Sequence, residues 1–254
     1  MPHFSRKTPK DRVFCTPFSP LLLRPYDFYP VLQAGIVSFC KSREPPCLKR
    51  LGETEMTQAL IVVDVQNDFC PGGALAVPGG DEVVVPINAM MKDFETVILT
   101  QDWHPAGHSS FASSHPGMSP LETLEMSYGT QVLWPDHCIQ GSQGAAFHPA
   151  LDLSGDLIIR KGFRSAIDSY SAFFENDQLT PTGLEGYLRS RGISELTFVG
   201  LATDFCVAFS ALDAARLGFQ AKVELAACRG IDLGGSLAKS LTDMQAAGVQ
   251  VQQG

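Results

Sequence analysis

The 254-residue chain is 44% apolar and 18% charged, an ordinary composition for a domain with a real core, and its net charge is −8. That acidic balance excludes the basic field of a nucleic-acid binder. No apolar run approaches the roughly 18 residues needed to cross a bilayer, so no membrane partner is expected.

Residues 1–55 differ from the rest. They hold nine Lys/Arg against five Asp/Glu, are rich in proline (Pro17, Pro20, Pro25, Pro30, Pro45, Pro46) and show no hydrophobic period. They are expected to be a disordered N-terminal extension, or sequence translated upstream of a start at Met56. A cleaved organelle transit peptide is a third reading, against which the acidic residues count. The folded domain is expected over residues 56–254. The seven cysteines are odd in number, form no C-x-x-C pair and follow no secretory signal, which points to reduced thiols in a cytoplasmic protein.

From Ala59 the order of elements is regular. Ala59–Val65 is a near-continuous β-branched run, as in a strand buried on both faces. A Gly/Pro-rich loop follows, and Asp81 caps a helix predicted to reach about Phe94. Strands are predicted at Thr96–Thr100, Asp156–Lys161, Glu195–Gly200, Gln220–Ala226 and Val249–Val251. Helices are predicted at Pro181–Arg191, Thr203–Leu217 and Ser236–Ala247. Strands alternating with helices imply an α/β fold: a doubly wound, mainly parallel six-stranded sheet with helices on both faces. The connections 101–155 and 162–179 exceed plain linkers and are expected to carry function.

Ligands of such sheets sit beyond the carboxyl ends of the strands. Asp64, Asp102, Lys161 and Cys206 all fall at those ends. Cys206 lies in the first turn of a predicted helix, where free N–H groups and the helix dipole favour a thiolate. Its plainer reading, a small buried cysteine, is outweighed by that setting and by Lys161; Cys70, Cys138 and Cys228 lack the setting. Asp64 interrupts an apolar strand at a cost that needs a reason. It is either a carboxylate satisfied by loop N–H groups or the general base beside a nucleophile. Lys161 would steady a thiolate and pair with Asp64, while Arg160 alternates to the other face.

Asp102 and His104 stand at i and i+2 of an extended loop, and His137 can return from the far end of the long insertion. Two histidines and a carboxylate form a facial set with open positions for a divalent transition metal. His108 and His115 are candidates for support behind it. His148 reads as a surface residue, and the glycines at 72, 73, 79 and 80 read as turn formers with no phosphate-binding spacing.

Five segments together carry a resemblance. Asp64-Val-Gln-Asn-Asp-Phe69, Thr100-Gln-Asp-Trp-His-Pro105, Trp134-Pro-Asp-His-Cys-Ile-Gln-Gly141, Arg160-Lys-Gly162 and Gly200-Leu-Ala-Thr-Asp-Phe-Cys-Val207 resemble the nicotinamidases (pyrazinamidase-type) of the isochorismatase-like cysteine hydrolase family. The likeness runs in order from about Met56 to Gly254. It implies hydrolysis of nicotinamide, or of pyrazinamide, with ammonia released and nicotinate fed to NAD salvage. It implies a catalytic triad of Asp64, Lys161 and Cys206, and a metal, zinc before iron or manganese, on Asp102, His104 and His137. Phe69 and Trp134 match the aromatic positions that sandwich the ring. Leu201–Ala202 matches a non-proline cis peptide that turns the N–H groups of Ala202 and Cys206 into an oxyanion hole. Phe205 stands where some relatives carry His or Tyr, which keeps a ring contact and removes a hydrogen bond. A homo-oligomer stays open.

The chief rival is another hydrolase of the same fold, an isochorismatase or a carbamoyl-amidase; those relatives generally lack the metal set. A nucleotide-binding oxidoreductase would need G-x-G-x-x-G after the first strand, and none is present. An inactive interaction protein would have no reason to keep all six polar site residues.

Overall fold

The computed structural model describes residues 57–253. The expectations for residues 1–55 lie outside the described residues. Eight strands and four α-helices occur among them: β1 (Thr57–Val63), α1 (Val84–Met90), β2 (Thr96–Asp102), β3 (Thr123–Met126), β4 (Gly129–Val132), β5 (Leu157–Lys161), α2 (Leu184–Ser190), β6 (Ile193–Leu201), α3 (Ala208–Arg216), β7 (Gln220–Arg229), α4 (Ser236–Ala246) and β8 (Gln250–Gln252). Six of the strands form one sheet in the order β5-β2-β1-β6-β7-β8, and every pairing in it is parallel.

Central β1 shows why its sequence reads as an unbroken apolar run. Ala59, Ile61 and Val63 enter a core shared with α2, α3 and α4, whereas Leu60 and Val62 face a second core that includes Val84 and Ile87 of α1. Both faces are covered, so alternation vanishes and only apolarity remains. Helices therefore lie on both sides, three against one.

The predicted helix from Asp81 to Phe94 is helical in three pieces: a 3₁₀ turn at Gly80–Val83, then α1, then a 3₁₀ turn at Met91–Asp93. Pro86 has no N–H to give the preceding turn, and the Val83-Val84-Val85 run is stiff, so the first turn stays tight. The predicted helix over Thr203–Leu217 begins as a π-type turn at Thr203–Val207 and becomes regular only at α3. The strands β3 and β4 form an antiparallel hairpin inside the long insertion that the sequence did not reveal. Each is four residues long, too short for alternation to register.

The chain winds outward from β1 to β2 and β5, then returns to β6 on the other side of β1. The order reverses between β1 and β6, and the carboxyl ends there open a crevice. Gly200 makes that junction tight. It has φ of +111°, and a Cβ on it would lie 2.2 Å from the Val63 carbonyl oxygen, so β6 can run this close to β1 only as glycine.

Candidate active site

Four strand ends deliver the predicted polar residues to the crevice. Asp64 follows β1, Asp102 ends β2, Lys161 ends β5, and Cys206 sits in the π-type turn after β6. All are buried. Lys161 is the hub. Its Nζ lies 2.8 Å from Asp64 Oδ2 and 3.0 Å from Asp102 Oδ1, and it donates to the Ser169 carbonyl at 2.9 Å and to Cys206 Sγ at 3.4 Å. Arg160 does alternate away, stacking its guanidinium 4.1 Å over Trp103.

Asp64 adopts φ of +48°, a left-handed conformation that aspartate tolerates better than most residues. The Thr100 hydroxyl donates to its Oδ1 at 2.6 Å. Its Oδ2 takes no hydrogen bond beyond the Lys161 ion pair, and the carboxylate interacts with the Cys206 thiol. Burial raises the Asp64 pKa, Lys161 pulls it back, and Asp102 adds to the rise; the net shift is upward. Burial likewise pushes the Cys206 thiol well above its ordinary value, against the opposing pull of Lys161 and with help from Asp64 and Asp102. Desolvation and the two buried carboxylates together outweigh the lysine. Lys161 itself is held cationic, because the pull of burial is overcome by Asp102 and Asp64.

On the other side of Asp102 stand the two predicted histidines. His104 Nε2 is 2.9 Å, and His137 Nε2 3.3 Å, from the same Asp102 Oδ2. Each ring's Nδ1 meets a backbone carbonyl, Gly162 O at 2.9 Å for His104 and Pro135 O at 2.8 Å for His137. With Nδ1–H donating there, both Nε2 lone pairs face a carboxylate oxygen, an arrangement of three acceptors that calls for a cation between them. The three donor atoms lie within 4.8 Å of one another, and the set suits a divalent transition metal. Burial tends to raise the Asp102 pKa, yet the net shift is well downward, and Lys161 at 3.0 Å helps to hold the carboxylate ionised.

His108 sits close behind, its ring 4.4 Å from that of His104. Both its nitrogens are used, Nδ1 by Ser110 and Nε2 by the Arg164 carbonyl, so it supports the set without joining it. His115 bonds to the Ser109 carbonyl, and His148 is half-buried rather than a surface residue. Cys70, Cys138 and Cys228 are buried free thiols, and burial raises all three, with Asp102 and Asp64 adding to the rise at Cys138.

Above Cys206 and His137 opens a small, largely apolar cleft. The predicted Phe69, Trp134, Phe205 and Ala202 all line it, and the Leu201–Ala202 peptide is cis. Trp134 packs edge-on against Phe205 with centroids 4.9 Å apart. Sequence reasoning missed Asp168, Tyr170 and Ile231, which also line the cleft. The first two come from the 162–179 connection, where only loop length gave a signal. The Tyr170 hydroxyl accepts from Trp134 Nε1 at 3.1 Å and from Gln131 Nε2 at 2.9 Å, so the hidden hairpin braces the cleft through Gln131.

A buried thiol, carboxylate and lysine thus meet at the switch point of a doubly wound α/β sheet. The Isochorismatase domain model matches residues 58–253, and the chain belongs to that family. Within it the chain falls with the nicotinamidases. It is 56% identical over 193 residues to a nicotinamidase of Acinetobacter baylyi, covering 76% of this chain and 90% of that protein. The nicotinamidase/pyrazinamidase structure from Acinetobacter baumanii superposes with a TM-score of 0.77 at 55% identity, covering 79% of this chain and 98% of that one. A pyrazinamidase of Pyrococcus horikoshii, solved in complex with zinc, gives a TM-score of 0.63 at 33% identity, over 78% of this chain and 99% of that one.

Proposed function

We propose that this chain hydrolyses nicotinamide to nicotinate and ammonia through a thioester on Cys206, returning nicotinate to pyridine-nucleotide synthesis. The observation that carries this reading is the Lys161 ammonium at 2.8 Å from Asp64, 3.4 Å from Cys206 and 3.0 Å from Asp102, beneath an aromatic cleft. Asp64 takes the thiol proton as sulfur attacks the carboxamide carbon. The N–H groups of Ala202 and Cys206 receive the developing oxyanion. Asp64 passes its proton to the departing nitrogen, and ammonia leaves. A water molecule, relieved of a proton by Asp64, then cleaves the thioester and regenerates the thiol. Lys161 keeps the two carboxylates and the sulfur in register throughout.

Phe69, Trp134 and Phe205 give a flat ring its apolar walls. A divalent ion on Asp102, His104 and His137 would supply a Lewis-acid position for a ring nitrogen, and zinc is the choice favoured by the zinc-bound relative. The free thiols among the described residues suit a reducing compartment such as the cytoplasm.

Ammonia release from nicotinamide tests the reading, with Cys206→Ala and Cys206→Ser both expected to be inactive. Benzamide keeps ring and amide but has no ring nitrogen. Its kcat/KM is expected to fall by a factor of about 100 or more as the second anchor is lost. Equal values for the two amides, or turnover of a vinyl ether in their place, would reopen the substrate assignment.

A further inference from the structure

One buried carboxylate beside the cleft takes no part in the chemistry above. Asp204 lies two residues before Cys206 and is 4% exposed. Its Oδ1 accepts from the backbone N–H of Ile231 at 2.9 Å, and its Oδ2 from the N–H of Asp232 at 2.8 Å and from the Ser236 hydroxyl. None of these donors is a cation; two lie in the link between β7 and α4, and Ser236 is the first residue of α4. The link turns through left-handed φ at Asp232 (56°), Gly234 (59°) and Gly235 (88°). At Gly230 a Cβ would approach within 3.2 Å of Asp204 Oδ1, so the link is drawn close around the carboxylate.

Ile231 is the residue this link gives to the cleft wall, in the same apolar cluster as Phe69 and Leu75. One end of the Thr203–Val207 turn therefore presents Cys206, and its other end holds the wall. We infer, on the reading that the cleft holds a nicotinamide ring, that Asp204 is a positioning residue that fixes Ile231 relative to the Cys206 sulfur. Hydrogen bonds from backbone N–H groups to a buried carboxylate are of the strong, charge-assisted kind, suited to fixing the place of a wall residue.

The test compares wild type, Asp204→Asn, Ile231→Ala and the double variant for KM and kcat on nicotinamide. Nicotinamide binding is measured separately by calorimetry in a Cys206→Ala background. Asparagine keeps the shape but cannot accept from all three donors. Asp204→Asn is expected to raise KM and Kd about tenfold, with kcat changed less than about threefold. Ile231→Ala should raise them similarly, and the double variant should be no worse than the worse single, because one residue acts through the other. Penalties that multiply, or a loss confined to kcat, overturn the inference. Ser236→Ala removes one donor and should give a smaller rise in KM and Kd. It decides the matter if Asp204→Asn fails to fold, since unchanged KM and Kd would overturn the inference. A wild-type enzyme inert toward nicotinamide would overturn the functional reading and the inference together, whereas turnover with multiplied penalties would overturn the inference alone.

Discussion

Burial shifts Asp64 and Cys206 in the same direction: the carboxylate becomes a stronger base than in water and the thiol a weaker acid. On the proposed mechanism the proton stays on sulfur until a carbonyl arrives to be attacked. The pH consequence follows in sign. Turnover needs ionised Asp64, whose pKa is raised above the ordinary 3.8, so kcat/KM falls on acidification at a higher pH than a free aspartate would give. On the alkaline side the thiol is raised well above 9.0, so alkylation of Cys206 by iodoacetamide should stay slow through neutral pH. Asp64→Asn should lower kcat by about 100-fold or more and remove the acid limb. An acid midpoint at or below 3.8, or rapid alkylation at pH 7, would mean that a standing thiolate, and not base-assisted attack, carries the reaction.

At the scale of elements, the carboxyl end of β5 shows how one backbone position serves two side chains. Lys161 ends the strand, and Gly162 turns away with φ of +65°, its carbonyl accepting from His104 Nδ1. A Cβ on Gly162 would lie 2.5 Å from His104 Cε1 and 3.0 Å from Asp102 Oδ1. Gly162→Ala should therefore swing the imidazole off its axis and weaken metal binding by about 10- to 100-fold, read by metal analysis after dialysis against a chelator. Gly107→Ala, at φ of +72° with nothing within 4 Å, carries the same backbone penalty without the clash and should keep its metal. Equal metal content in the two would remove Gly162 from the site. The strands that deliver the polar residues were legible because burial on both faces writes long apolar runs that stop at a charged residue. The i, i+2 spacing of Asp102 and His104 and the five joint motifs pointed to Asp102, His104 and His137, which the fold brings together. Asp168, Tyr170 and Gln131 were not, because loops and a four-residue hairpin have no period to read. Nor was the π-type turn under Cys206, since helix periodicity does not distinguish its start from an α-turn.

At the scale of the whole molecule, the sheet and the predicted site residues both fall within the described residues. Every strand of the sheet lies within Thr57–Gln252, and the two apolar cores draw on residues from Ala59 to Val251. The family match begins at residue 58, and the aligned part of the Acinetobacter baylyi enzyme is 90% of that protein's length, so relatives of this activity complete the domain with little more than this span. Residues 1–55 carry an excess of positive charge and a proline content unlike the acidic remainder, and none of the predicted site residues lies among them. We propose that residues 56–254 are the autonomous catalytic domain. A protein beginning at Met56 should keep kcat/KM for nicotinamide within about twofold. Its Tm should move by no more than about 2–4 °C, the shift that about 1 kcal/mol produces in a domain of this size. The matching control begins at Gln66 and lacks β1, whose side chains fill both cores and whose backbone joins β2 to β6. Without it the sheet loses its centre and Asp64 together, and that protein should be unfolded by circular dichroism. If the protein beginning at Met56 loses activity or melts far earlier, the first 55 residues contribute to the fold, and the domain boundary must move toward the N-terminus.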